Sequence, residues 1–219
     1  MEKLSVPLAL VDFVAFALST IGFICLTRMI ATINRECGVL ALVGLLQITL
    51  GGFAKALWQI LLVTTNTHPV VLNNLQFILL APGIVCLTWA LWNLFRASGR
   101  VPVWVVPVII ITAAEGAAAI RVLSKGGNGW FIVLVGVATV ANISASLLLI
   151  RESWRRGVTL VAVLFAFNLV VMLGQLGMAR IVNRPVTFQW MEHLNNLFAW
   201  LAFAYASWKL DRHITGRRF

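Results

Sequence analysis

Residues 151–179 read RESWRRGVTLVAVLFAFNLVVMLGQLGMA. Arg151, Arg155 and Arg156 crowd one end, and from Gly157 to Ala179 no ionisable side chain follows. The hydrocarbon core of a bilayer, about 30 Å thick, is crossed by about 20 apolar residues in an α-helix, the form that satisfies every backbone polar group within its own segment. This stretch has the length, the apolar content and the charged flank of such a crossing. Read outward in both directions, the chain repeats the pattern, with spans expected at about 6–26, 38–63, 70–95, 101–123, 129–150, 157–179 and 187–210.

The expected fold is therefore an all-α integral membrane protein of seven transmembrane helices. Composition agrees: of 219 residues 61% are hydrophobic and 11% charged, and the mean hydropathy is +0.95, far from a soluble domain in which about a quarter of residues are charged. The connections are too short to fold separately, so residues 1–219 read as one polytopic domain. Three cysteines, Cys25, Cys37 and Cys86, have no metal-site spacing and read as packing groups or free thiols.

A net charge of +10 would suggest a nucleic-acid partner in a soluble protein, but the cations gather at span ends. Eleven fall on one side: Arg28, Arg35, Arg96, Arg100, Arg151, Arg155, Arg156, Lys209, Arg212, Arg217 and Arg218. Five fall on the other, Lys3, Arg121, Lys125, Arg180 and Arg184, while Lys55 lies within a span. The richer side is expected in the cytoplasm, which places the N-terminus outside and the C-terminus inside, in a membrane of the bacterial inner type. The same charge would meet anionic lipid at the cytoplasmic face, and no nucleic acid is expected. Trp104, Trp130, Trp154, Trp190 and Trp208 at span ends suit headgroup depth. Pro82 and Pro107 lie deeper and are expected to kink spans 3 and 4.

An ionisable side chain inside a span costs about 2.5–3.5 kcal/mol on insertion scales, so each one is a functional hypothesis. Asp12, Lys55, Glu115, Glu192 and His193 all fall in the outer half, and Gln59, Asn73, Asn74, Gln76, Gln175, Asn195 and Asn196 share that distribution. Below them the spans are mostly apolar and small. The asymmetry predicts a ligand-binding pocket open to the extracytoplasmic side and built from these residues, with Asp12, Glu115 and His193 as candidates for proton coupling. Matching depths make Lys55 and Glu115 the leading ion pair, and Ala113-Ala114-Glu115-Gly116-Ala117-Ala118-Ala119 predicts a tightly packed span 4. Glu192 and His193 are neighbours on a helix and so point about 100° apart.

A shift of 122 residues lays Leu72-Asn73-Asn74-Leu75 on Leu194-Asn195-Asn196-Leu197 and spans 1–3 on spans 5–7. Two parallel three-helix repeats joined by helix 4 are thereby suggested. On these residues the chain loosely resembles the heptahelical 3+1+3 class of SWEET and PQ-loop sugar transporters. The resemblance implies a substrate site flanked by asparagines on spans 3 and 7, at Asn73 or Asn74 and Asn195 or Asn196. The Pro-Gln pairs of that family have no counterpart in this sequence. The opsin-like class is a second comparison, but the lysine on span 7, Lys209, sits at its cytoplasmic end, and no retinal is expected.

The preferred reading is a binding or transport protein for a small polar or amphipathic ligand. Two alternatives stay open: a metal-free membrane enzyme acting on a lipid head group, comparable with lysoplasmalogenase-type hydrolases, with a carboxylate such as Glu115 or Glu192 activating water beside His193; and a structural or sensory subunit of a membrane complex, or a homo-oligomer. Three histidines, of which His68 lies in an outer loop and His213 in the tail, do not supply a zinc site. No metal or other cofactor is expected.

Overall fold

The computed structural model describes residues 6–65, 67, 69–96, 102–125, 129–178 and 186–216. His68, Lys3, Arg100, Arg180, Arg184, Pro185, Arg217 and Arg218 lie outside them. The described residues form seven α-helices and no strand: α1 Val6–Ile33, α2 Arg35–Thr65, α3 Val70–Arg96, α4 Val105–Lys125, α5 Gly129–Arg155, α6 Thr159–Met178 and α7 Val186–Thr215. Six of these, α1 to α6, are long and apolar enough to cross a membrane. The seventh is as long, but its sequence mixes Glu192, His193, Asn195 and Asn196 with a charged end.

Several boundaries differ from expectation for local reasons. The loop expected over 27–37 is almost entirely helical: α1 runs on to Ile33, and Asn34 alone separates it from α2. The Asn34 side chain accepts the Cys37 amide proton at 3.0 Å, a helix N-cap that satisfies a donor the new helix leaves open. Gly38 then passes so close to Ala31 that no side chain fits there. Helix α4 starts at Val105, not at 101, so Pro107 occupies its first turn, where a missing N–H costs nothing, and the expected kink has no basis there. Helix α5 ends in a Schellman motif: Gly157, at φ 74°, donates to the Trp154 carbonyl and Val158 to that of Ser153, both at 3.0 Å.

The helices fall into two compact units, which share α1, α2 and α5 between them. Unit 1 comprises residues 1–26, 56–69 and 149–219. Its core is aromatic: the Phe203 ring lies 4.9 Å from Phe23, 5.5 Å from Trp200 and 5.9 Å from Phe165, centroid to centroid. Gly22 permits this packing, because a Cβ there would stand 2.5 Å from Phe203 Cδ1. Buried Asn168 donates to the Ala199 carbonyl at 3.0 Å and ties α6 to α7.

Unit 2 comprises residues 27–55 and 70–148. Here α2 and α3 approach backbone to backbone: a Cβ on Gly44 would meet the Gly83 carbonyl oxygen at 2.6 Å, and one on Gly51 would meet that of Gln76 at 3.0 Å. Such contact between small residues is the usual way membrane helices gain dispersion energy without a hydrophobic driving force. Thr88 Oγ1 contacts the Ile84 carbonyl at 2.7 Å and that of Ala141, on α5, at 3.0 Å. Helix α4 is the least packed: Ala114 and Ala118, one turn apart, are buried with Ala81 of α3 and Leu134 of α5, whereas Ala113, Glu115, Gly116, Ala117 and Ala119 are exposed. The tight packing expected from its alanines is confined to that one stripe, because small side chains offer contact area only where another backbone comes close.

Candidate functional site

Within unit 1, three polar side chains from three helices converge. Asp12 sits near the start of α1, Gln59 in the last two turns of α2, and His193 two turns into α7. Gln59 Nε2 donates to Asp12 Oδ2 at 2.6 Å, and His193 Nδ1 lies 2.6 Å from Asp12 Oδ1. Gln59 is buried, and the side chains of Asp12 and His193 are only 11% and 17% exposed. Each carboxylate oxygen thus has its own donor, the arrangement that makes a carboxylate tolerable away from water.

An ionised carboxylate only accepts, so opposite an ionised Asp12 the His193 Nδ1 is the protonated ring nitrogen. With Nδ1–H donating to Asp12, the second nitrogen, Nε2, carries the lone pair of the neutral imidazole. It is then the atom available to take a proton. Asp12 holds the ring in this orientation, and Gln59 holds the carboxylate in turn.

The remaining sequence-derived candidates are distributed differently. In unit 1, Glu192 and Asn196 on α7 and Gln175 on α6 are half-buried, and Asn195 is exposed. The Gln175 Nε2 atom is buried with no hydrogen-bond partner among the described residues, so it is a donor in want of an acceptor. In unit 2, Asn73, Asn74 and Gln76 of α3 are half-buried. Lys55 and Glu115 are both exposed, and the ion pair expected between them does not form. Depth along a helix matched these two residues, but depth carries no information about the direction in which a side chain leaves its helix.

Sequence reasoning overlooked one group of residues. Glu152, Ser153, Ser207 and Asp211 are buried at the charged ends of α5 and α7, with exposures of 4% or less. Glu152 Oε1 accepts from Arg156 Nε at 2.7 Å and Arg155 Nη2 at 3.1 Å. A signal was present: Glu152 and Asp211 are the lone acids within runs of basic residues. The three cysteines are free and buried, and no cluster of metal-ligating side chains occurs among the described residues.

Comparison with known proteins gives no match: no family model, no curated protein and no solved structure aligns with the chain.

Proposed function

We propose that this multi-pass membrane protein binds or transports a small polar or amphipathic ligand, and that Asp12 and His193 are its proton-carrying pair. The observation that carries the reading is the 2.6 Å contact of His193 Nδ1 with an Asp12 carboxylate held from its other side by Gln59. An ionisable pair retained inside apolar helices marks a proton or substrate pathway in membrane proteins, and the Asp12 bond leaves Nε2 as the atom that gains and loses the proton. Half-buried Glu192 and Asn196 on the same helix and the unsatisfied Gln175 amide supply polar groups in the same unit for a ligand. In this reading the ends richer in basic residues lie in the cytoplasm and the N-terminus lies outside, with Asn195 of the same unit serving the ligand pathway.

The test is proton movement in proteoliposomes with a trapped pH dye, challenged in turn with sugars, amino acids and zwitterionic amines. One solute class should drive proton entry with the wild-type protein, and Asp12→Asn or His193→Gln should lower the rate at least tenfold while solute binding persists. Solute flux without proton movement, or proton movement unchanged in both variants, would refute the pairing of His193 with transport. The same Nε2 geometry also suits a general base that activates water. Hydrolysis of a lysolipid head group that disappears in His193→Gln, with no solute-driven proton entry, would establish the enzyme reading instead.

A further inference from the structure

The charged end of α7 carries a second site. Tyr205, Trp208, Lys209, Arg212 and His213 follow one another at intervals of three and four residues or as immediate neighbours, so all lie on one face of the helix. With Val158, from the turn that follows the Schellman cap of α5, they line an open cleft of about 560 Å³. The aromatic rings position the cations: the Arg212 guanidinium carbon lies 4.0 Å from the Trp208 ring centroid, and Lys209 Nζ lies 6.0 Å from that of Tyr205. Stacking of this kind holds a guanidinium or ammonium in a fixed direction without neutralising it.

The acids of this end are sorted away from the cleft. Asp211 is 0% and Glu152 4% exposed, neither lines the cleft, and Glu152 is engaged by Arg155 and Arg156. Lys209 and His213 form no ion pair with any described residue. The last-turn cations also suit the negative end of the helix, which would otherwise repel an anion, and the Thr215 hydroxyl donates to the Asp211 carbonyl at 2.7 Å. The result is a concave surface with planar and point-charge donors side by side, framed by rings of the kind that settle at headgroup depth.

We infer that this cleft binds the phosphate group of an anion, with Arg212 and Lys209 as its main donors and Tyr205 and Trp208 facing the carbon skeleton next to the phosphate. On the reading that α7 spans the membrane with this end at its surface, a phospholipid headgroup is the expected source, and a soluble phosphate ester is the alternative source of the same chemistry. The site is independent of the Asp12–His193 pair.

The experiment is native mass spectrometry of the full chain in mild detergent, titrated with phosphatidylglycerol, with phosphatidylcholine and with inorganic phosphate. The wild type should hold phosphatidylglycerol at least tenfold more tightly than phosphatidylcholine. Lys209→Gln with Arg212→Gln should bring the two lipids to equal affinity, and Arg151→Gln, at an exposed cation outside the cleft, should leave the preference intact. Persistence of phosphatidylglycerol against millimolar inorganic phosphate identifies the lipid as the source; displacement by inorganic phosphate identifies a soluble phosphate. Equal affinities in the wild type, a preference that survives the double substitution, or one lost equally in Arg151→Gln would overturn the inference. If the double variant loses its helical circular dichroism, Arg212→Lys and Lys209→Gln taken singly give the same reading, each with a partial loss expected.

Discussion

Asp12 and Glu115 are both carboxylates within apolar helices, and the structure treats them in opposite ways. Asp12 is enclosed in unit 1, with Gln59 on one oxygen and His193 on the other. Glu115 stands on the exposed part of α4 in unit 2, and its expected partner Lys55 is exposed as well. The residue type does not separate them. The difference is that the ends of α1, α2 and α7 converge on Asp12, whereas the buried face of α4, with Pro107, Ala114 and Ala118, leaves Glu115 outside it. A charge in a membrane helix becomes part of a site when several helices bring donors to it, and otherwise stays a solitary cost.

The sharpest way to break this comparison is Asp12→Ala. It strands a buried Gln59 amide and removes the acceptor of His193, and a loss of about 3 kcal/mol is expected, in line with removing one member of a buried polar cluster. Thermal unfolding in detergent measures it, and proton movement should vanish in parallel. A transition temperature unchanged from wild type would mean that the cluster contributes no stability. The packing side of the comparison is tested by Gly22→Ala, which forces a methyl against Phe203 and Ala204. About 2 kcal/mol of destabilisation is expected from overpacking, read as a lower unfolding midpoint.

Smaller effects belong to α4. A Cβ on Gly116 meets nothing within 4 Å, so Gly116→Ala should raise stability by about 0.5–1 kcal/mol through helix propensity alone. A loss instead would show that another surface closes on this glycine in the membrane. Smallest of all is Glu115→Gln. Without an ion pair to break, it should shift the unfolding midpoint by less than about 0.5 kcal/mol and leave proton movement at the wild-type rate. A drop comparable with that of Asp12→Asn would place Glu115 in the same machinery and remove the distinction drawn above.

Several of these features are legible without coordinates. The apolar runs of at least 20 residues required helices, and the helix cores fall where those runs lie. The terminal turns are less accessible, because Asn34 as a cap or Pro107 in a first turn is decided by short-range hydrogen bonding rather than by hydropathy. Asp12, Gln59 and His193 all stand out as polar residues in apolar surroundings, and their depths suggest a common level. Their partnership does not stand out: Asp12 and His193 are 181 positions apart, and the nearest acid in sequence to His193 is Glu192. The aromatic and basic stripe at the end of α7 is the reverse case, written openly in the three- and four-residue spacing of Tyr205, Trp208, Lys209, Arg212 and His213.

Sequence alone determined that the chain is a set of membrane-length helices, how polarity is distributed along each one, and that most cations gather at one set of helix ends, because hydrophobic transfer and helix geometry are local properties summed over about 20 residues. Only the tertiary structure decided how each helix is rotated about its axis, and hence that Asp12 meets His193 and Gln59 while Lys55 and Glu115 do not meet. The physical reason is that a helix made for lipid is apolar on every side. Its sequence carries almost no amphipathic signal to say which face turns inward, and the choice falls to close packing between small residues and to the few hydrogen bonds that join distant segments.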